Sequence, residues 1–189
     1  MSEFFSSRPL ISVFGSHAPG PGSEDYELAR EVGRRLAMSG FGVATGGYSG
    51  TMAAVSQGAA EAGGYVLGVT SGQIEKIRQA KLNPWVTNEI RYETLSARAL
   101  HLVTKNDGII VLSGGIGTLS EFALAWSLMQ AKEIPLRPLI LLGEIWHHTM
   151  DRFANPDYIN PEHLALIEYA VSPEQAIAQL KSFPSKSEM

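Results

Sequence analysis

Short apolar runs alternate along the chain with longer segments in which apolar residues recur every three or four positions. Such runs are typical of buried strands, and such recurrence is typical of amphipathic helices. The runs predict strands at residues 9–14, 41–45, 65–69, 108–112 and 138–142, with a short last strand at 169–171. The recurring positions predict helices at residues 24–38, 51–62, 90–104, 118–131, 144–153, 162–168 and 173–181. Ser23 is placed to cap the first helix and Gly40 to end it. Residues 70–89 are predicted to be irregular, with a short extra strand near 85–87.

This alternation predicts an α/β fold with a doubly wound parallel sheet, Rossmann-like in form. Right-handed crossovers favour the strand order 3-2-1-4-5-6, in which strand four is the run at 108–112. The winding direction reverses between strands one and four, and ligands bind beyond the carboxyl ends of the strands at such a reversal. No internal repeat or linker divides the chain. We therefore expect residues 1–189 to form a single domain, with a core at about 9–182 and a frayed C-terminal tail.

The composition narrows the partners that the chain is expected to have. Hydrophobic residues make up 44% of the chain and charged residues 18%, which is typical of a globular protein. The formal net charge of −4 gives no basic surface for duplex DNA, so we expect no nucleic-acid partner. No apolar run approaches the ~20 residues that span a bilayer, and the first residues lack the pattern of a signal peptide. We therefore expect no membrane partner and a cytoplasmic location.

Two glycine loops, each between a predicted strand and a predicted helix, carry the candidate chemistry. The segments VLSGGIGTLSE at residues 111–121 and GGYSG at residues 46–50 lead from an apolar run directly into a helix. This construction directs free backbone N–H groups and the positive end of a helix dipole at an anion. The loop at residues 15–22 follows strand one, so the topology brings it to the same edge of the sheet. The sequence therefore predicts that a ligand carrying phosphate binds there.

Several common sites are missing from the sequence. Gly15, Gly20 and Gly22 lie in a longer loop and lack the spacing of the G-x-G-x-x-G dinucleotide fingerprint, and no G-x-x-x-x-G-K-[ST] motif is present. The chain has no cysteine, and its five histidines show no ligand spacing with carboxylates, so we expect neither a metal site nor a resident cofactor. His17 and Tyr48 lie in the glycine-containing loops, but without a nucleophile elbow they do not indicate a Ser-His-Asp hydrolase.

Glu121 and Arg98 each have two alternative roles. Thr118 and Glu121 have the spacing of a capping box, in which Thr118 is the N-cap and the carboxylate returns to its backbone N–H. Glu121 has no cation three or four residues away, and a catalytic role is the alternative. Arg98 borders an apolar stripe of its predicted helix and has no acidic residue at those spacings. Its guanidinium therefore either reaches solvent or points at an anion, and the residues alone leave both pairs of alternatives open.

These motifs resemble those of the LOG family of Rossmann-like proteins, whose best-studied members are cytokinin-activating nucleoside 5′-monophosphate phosphoribohydrolases. The family motif P-G-G-x-G-T-x-x-E corresponds to S-G-G-I-G-T-L-S-E at residues 113–121. The second glycine block of the family corresponds to TGGYSGTMAAVSQGAAEAGG at residues 45–64. With the opening VFGS, the similarity covers residues 10–143.

The resemblance implies hydrolysis of the N-glycosidic bond of a purine nucleoside 5′-monophosphate, which releases the base and ribose 5-phosphate. The catalytic pair of the family is an arginine sixteen residues before the first motif glycine and the motif glutamate, which correspond to Arg98 and Glu121. The residues expected to bind the substrate and its phosphate are Gly15, Ser16, Gly46, Gly47, Gly50, Met52, Gly114, Gly115, Gly117 and Thr118.

The chain departs from the family pattern at three positions. Ala97 and Ala99 stand where active cytokinin enzymes carry an acidic residue and a lysine beside the arginine, and Ser113 replaces the motif proline. These departures argue against a cytokinin-like substrate more than against nucleotide binding. The alternative is therefore a non-catalytic protein of the same fold that binds or carries a nucleotide or a pterin-type phosphate cofactor.

We also expect a homodimer. The predicted helices at residues 90–104 and 118–131 are apolar, and one stripe of the second carries Leu119, Phe122, Trp126 and Met129. Members of the LOG family usually dimerise through this region, so the resemblance implies that these helices pair with a second subunit.

Overall fold

A computed structural model gives the fold of residues 8–183, the part of the chain that it describes. These residues form one sheet of seven parallel strands in the order β4-β3-β2-β1-β5-β6-β7. The strands are β1 (Leu10–Phe14), β2 (Gly42–Thr45), β3 (Val66–Ser71), β4 (Asn88–Tyr92), β5 (Gly108–Val111), β6 (Leu139–Leu142) and β7 (Glu168–Ala170). The helices are α1 (Glu24–Met38), α2 (Thr51–Glu61), α3 (Gly72–Arg78), α4 (Leu95–Thr104), α5 (Ile116–Gln130), α6 (Glu144–Phe153), α7 (Pro161–Leu164) and α8 (Pro173–Ser182). The absence of a signal peptide was predicted from residues 1–9, of which 1–7 lie outside the described residues. The frayed tail was predicted at residues 182–189, of which 184–189 lie outside them, whereas Ser182 is the last residue of α8.

The predicted fold class and strand order are confirmed. Without β4, the observed order is β3-β2-β1-β5-β6-β7, which is the predicted order 3-2-1-4-5-6. β1 and β5 are neighbours, with Phe14 opposite Val111. The winding direction therefore reverses between these two strands, and their carboxyl ends lie side by side.

The chain between residues 70 and 94 differs from the prediction. The segment after β3 forms α3, β4 occupies Asn88–Tyr92, and α4 begins only at Leu95. β4 lies at the edge of the sheet, and within residues 8–183 its only partner strand is β3. Because four of its five residues are exposed, its sequence NEIRY needs no apolar run and gave no strand signal.

Helices cover both faces of the sheet and divide the core into two layers. On one face, α1, α2 and α8 contribute residues such as Val32. On the other face, α4, α5 and α6 contribute residues such as Phe122. Strand residues alternate between the layers, so that Ile140 belongs to the first and Leu141 to the second. None of the helices formed by residues 8–183 has both the length and the apolar character to cross a lipid bilayer.

Most of the apolar stripe expected at a subunit interface belongs to the chain's own core. Phe122, Trp126 and Met129 are buried, and Trp126 Nε1 donates to the His163 carbonyl oxygen at 2.7 Å. These three residues of the stripe are therefore not available to a partner, contrary to the expectation. Leu119 is 41% exposed and remains at the surface.

Candidate active site

Three loops meet at the edge of the sheet where β2, β1 and β5 end side by side. Residues 46–50, 15–22 and 112–115 follow these strands and lead into α2, α1 and α5. The Thr51 N–H, at the start of α2, donates to the Ser16 carbonyl oxygen at 2.8 Å and ties two of the loops together. The structure therefore brings the three predicted ligand loops to one place.

Arg98 and Glu121 meet at this edge although they lie on different helices. Arg98 Nη1 is 3.2 Å from Glu121 Oε1, and Arg98 Nε donates to the Val69 carbonyl oxygen at 2.8 Å. Arg98 is 5% exposed, so its guanidinium does not reach out to solvent. Of the two orientations that the sequence left open, Arg98 takes the inward one and meets the carboxylate of the motif.

Glu121 is electrostatically unusual for a carboxyl group. Burial raises the pKa of Glu121 above its usual value, and the nearby Arg98 guanidinium opposes that shift by stabilising the ionised form. The side chain of Glu121 is 13% exposed. A buried carboxyl with a perturbed pKa and one specific charged partner, at the ligand edge of a doubly wound sheet, is a candidate catalytic group.

The capping box expected at the start of α5 does not form. The helix begins at Ile116, its N-cap is Gly115, and no side chain caps this terminus. Thr118 therefore lies in the first turn instead of at the N-cap, and Glu121 bonds to Arg98 instead of returning to Thr118. Since the early start leaves backbone N–H groups of the first turn without a side-chain cap, this terminus remains suited to an anion.

The glycines of the first motif allow close packing around this terminus. A Cβ on Gly114 would collide with the buried Thr118 side chain, so only glycine fits there without a shift. A Cβ on Gly115 or Gly117 would meet nothing within 4 Å, so space alone does not require glycine at either position.

Gly46 makes room for Arg98. A Cβ at this position would collide with the Arg98 guanidinium and with the sulfur of Met52, which lies 3.9 Å from Arg98 Nη2. Gly47 has a φ of +76°, and its N–H donates to Thr45 Oγ1 at 3.1 Å. The loop at residues 46–50, one of the predicted ligand loops, therefore also packs against the Arg98 guanidinium.

Gly15 and Gly50 fit two loops against each other. Gly50 has a φ of +71°, and a Cβ there would collide with the backbone of Ser16 and His17. A Cβ on Gly15 would collide with the Thr51 hydroxyl, which itself donates to the Ser16 carbonyl oxygen at 3.0 Å. These contacts fix the loop after β1 beside the start of α2.

The sequence did not reveal the roles of three residues that shape the site. Val69 supplies the carbonyl oxygen that holds Arg98, and the Tyr48 ring lies beside the same guanidinium. Asn83 supports the loop at residues 46–50, since its N–H donates to the Gly47 carbonyl oxygen at 2.8 Å and its Nδ2 to the Tyr48 carbonyl oxygen at 3.2 Å. Asn83 lies in the segment predicted to be irregular, where no motif marks it.

The chain is similar to known proteins over most of its length. The model of the SLOG cluster4 family matches residues 8–160. The chain is 27% identical over 180 residues to a protein of Rhodococcoides fascians named cytokinin riboside 5′-monophosphate phosphoribohydrolase, an alignment that covers 91% of this chain and 89% of the relative.

Solved structures resemble the fold over nearly its full length. A molybdenum cofactor binding protein from Rippkaea orientalis is 29% identical, with a TM-score of 0.74, and the match covers 94% of this chain and 98% of that one. The molybdenum cofactor carrier protein of Chlamydomonas reinhardtii is also 29% identical, with a TM-score of 0.68 over 92% of this chain and 96% of that one.

Proposed function

The chain belongs to the SLOG cluster4 family, and on that premise we propose that it hydrolyses the N-glycosidic bond of a purine nucleoside 5′-monophosphate. The products are the free base and ribose 5-phosphate. The family match and the phosphoribohydrolase relatives confirm the resemblance to the LOG family. The observation that carries the proposal is the 3.2 Å contact between Arg98 and Glu121 at the ligand edge of the sheet.

The 5′-phosphate binds at the start of α5 in this proposal. The Gly115 N-cap has no side-chain cap, so backbone N–H groups of the first turn face the phosphate together with the positive end of the helix dipole. Gly114, Gly117 and Thr118 complete this cradle. Gly15, Ser16, Gly46, Gly47, Gly50 and Met52 form the neighbouring walls.

Glu121 acts on the ribose in this proposal. As the bond between the base and C1′ breaks, its electron pair leaves with the base and positive charge develops on the ribose ring. A carboxylate next to the ring stabilises that charge or orients the attacking water, as carboxylates do in glycoside hydrolysis. The water oxygen forms the new bond to C1′. One of its protons stays on the C1′ hydroxyl of ribose 5-phosphate, and the other neutralises the nitrogen of the departing base.

Arg98 orients the substrate. Its guanidinium has five N–H donors, of which Nε–H is bound to Val69 and Nη1 is directed at Glu121. The remaining donors suit the phosphate or the ribose hydroxyls, because a planar fork binds such oxygens with defined geometry.

The test is a chromatographic assay for free base and ribose 5-phosphate with AMP, GMP, CMP and isopentenyl-AMP as separate substrates. We expect release from a purine nucleotide, and a fall of at least about 100-fold in Glu121→Gln, in line with the contribution of a positioned acid or base. Glu133→Gln is the matched control, because this exposed carboxylate follows the other end of α5. Full activity of Glu121→Gln would remove Glu121 from the mechanism.

A second candidate function is that of a carrier for a nucleotide or a pterin-type phosphate cofactor. The near full-length match to two molybdenum cofactor proteins favours it. The alanines at positions 97 and 99 favour it as well, since they replace charged neighbours of Arg98 in active cytokinin enzymes. No release of base from any nucleotide, together with a ligand that raises the melting temperature or remains bound through purification, would establish the carrier function instead.

A further inference from the structure

Tyr48 lies beside Arg98 and has no part in the function proposed above. It is 3% exposed, and the Arg98 Cζ atom lies 5.8 Å from the centre of its ring. A guanidinium within about 6 Å of an aromatic face is attracted to the ring by a cation–π interaction. The ring therefore gives Arg98 a further contact, in addition to Val69, Glu121 and Met52.

The Tyr48 hydroxyl is anchored at the end of β3. It accepts a hydrogen bond from the Ser71 N–H at 2.7 Å and lies 3.1 Å from the Ser71 carbonyl oxygen, to which it donates. Glu75 Oε1 is 3.4 Å from the same hydroxyl, and Glu75 is itself held by two N–H groups of Arg91 at 2.8 and 3.1 Å. Burial raises the pKa of Tyr48, so the hydroxyl keeps the proton that it donates. The ring is therefore fixed from its far end.

The ring adds a contact of a different kind to the polar contacts that Arg98 makes. Val69 fixes Nε alone, and Glu121 is met by one N–H through one carboxylate oxygen. These hydrogen bonds restrain the edge of the guanidinium, whereas an aromatic ring restrains its face, on which arginine stacks.

We propose that Tyr48 is a positioning residue that holds the guanidinium of Arg98 in the orientation required at the site. The proposal rests on the role given to Arg98 in the proposed function. The effect of Tyr48 passes through the orientation of Arg98.

The experiment measures the rate of hydrogen exchange at the Arg98 Nε–H from its side-chain NMR signal. The signal is assigned by its disappearance in Arg98→Lys. Tyr48→Met removes the ring at similar volume, and Tyr48→Phe keeps the ring and removes only its anchor. Tyr26→Phe is the matched control, because Tyr26 is also 3% exposed and its hydroxyl bonds to Gln57 instead of to the site.

We expect Tyr48→Met to speed exchange of the Nε–H at least about tenfold, the range that loss of a desolvated cation–π contact supports. Tyr48→Phe should raise the exchange rate of the Nε–H about threefold, because the ring stays but its hydroxyl no longer anchors it. Tyr26→Phe should leave it unchanged. Exchange in Tyr48→Met within a factor of two of wild type would overturn the proposal. If that variant does not fold, equal exchange in Tyr48→Phe and Tyr26→Phe overturns it.

Base release from AMP supplies the second readout. In Tyr48→Met we expect kcat to fall at least about tenfold, since a displacement of about 1 Å in a positioned group costs up to about 100-fold. Tyr48→Phe should recover most of that loss. The two proposals fail separately: if wild type releases no base, the hydrolase function fails, whereas the exchange of the Arg98 Nε–H still decides the role of Tyr48.

Discussion

At the scale of single residues, the protonation of Glu121 links the site to the stability of the fold. The unfolded chain releases this proton near pH 4.5, and burial moves the release in the folded chain to higher pH. This contribution to stability is therefore fully present below the unfolded pKa and is lost as the pH rises through the folded pKa. Glu121→Gln imitates the protonated carboxyl, so this variant does not lose stability as the pH rises. We predict that it melts at a higher temperature than wild type at pH 7 and at the same temperature near pH 4, by differential scanning calorimetry.

Glu133→Gln separates this effect from the loss of one negative charge. Because Glu133 is exposed, the Glu133→Gln variant should melt at the same temperature as wild type at both pH values. If Glu121→Gln melts no higher than wild type at pH 7, Arg98 compensates the burial of the carboxylate completely. The prediction would then be wrong, and the site would be an ordinary stable ion pair.

The sequence revealed the two charged residues of the site but not how they meet. Arg98 and Glu121 stood out because neither has an opposite charge one helical turn away, which is a local property. Their contact depends on the packing of α4 beside α5, and the space for it depends on Gly46, which lies in a different loop. Such long-range contacts leave no periodic signal in the sequence. The need for a glycine at position 46, where a Cβ would collide with Arg98, was therefore visible only in the fold.

At the scale of elements, the start of α5 combines weak capping with the proposed binding of the phosphate. Gly115 occupies the N-cap with a φ of −95°, and a Cβ there would meet nothing within 4 Å. A residue with a side chain therefore fits, and asparagine or aspartate would stabilise the helix by a few tenths of a kcal/mol more than glycine. The aspartate would also place a negative charge where the phosphate is proposed to bind.

Gly115→Asp and Gly115→Asn make a matched pair that differs in charge alone. We predict that both raise the free energy of unfolding by about 0.5 kcal/mol in urea titrations. By isothermal calorimetry, Gly115→Asp should bind AMP at least about tenfold more weakly than Gly115→Asn, because like charges at close range cost about 1 kcal/mol or more. Equal affinities for AMP would place the phosphate elsewhere.

Element boundaries followed the sequence wherever apolar periodicity and capping agreed. The predicted bounds of α1 are those observed, with Ser23 accepting from the Tyr26 N–H, and Gly40 follows the helix with a φ of +86°. The prediction failed at α5, where glycines allow the helix to start before Thr118, the residue that looked like its cap. It also failed at β4, because a solvated edge strand carries no apolar run.

At the scale of the whole molecule, the strand order followed from the alternation of elements and the handedness of crossovers. Those rules place neighbouring strands but give no information on what a second copy of the chain covers. The two helices expected at a dimer interface, α4 and α5, pack side by side and keep Leu95, Leu100, Ile116 and Leu119 between 41% and 77% exposed. This surface differs from the predicted stripe, three residues of which lie in the core.

We therefore expect a homodimer that buries this exposed surface, with about twice the mass of one chain in light scattering at micromolar concentration. Leu119→Glu should yield a monomer, because an interface core excludes an unpaired charge. Met38→Glu is the matched control, since Met38 is 68% exposed on α1 and the variant should remain a dimer. A wild-type monomer would contradict the expectation outright, whereas a dimer that survives Leu119→Glu would move the interface away from α5. Because Leu119 is two residues from Glu121, base release measured on the separated monomer would also show whether the site is complete within one chain.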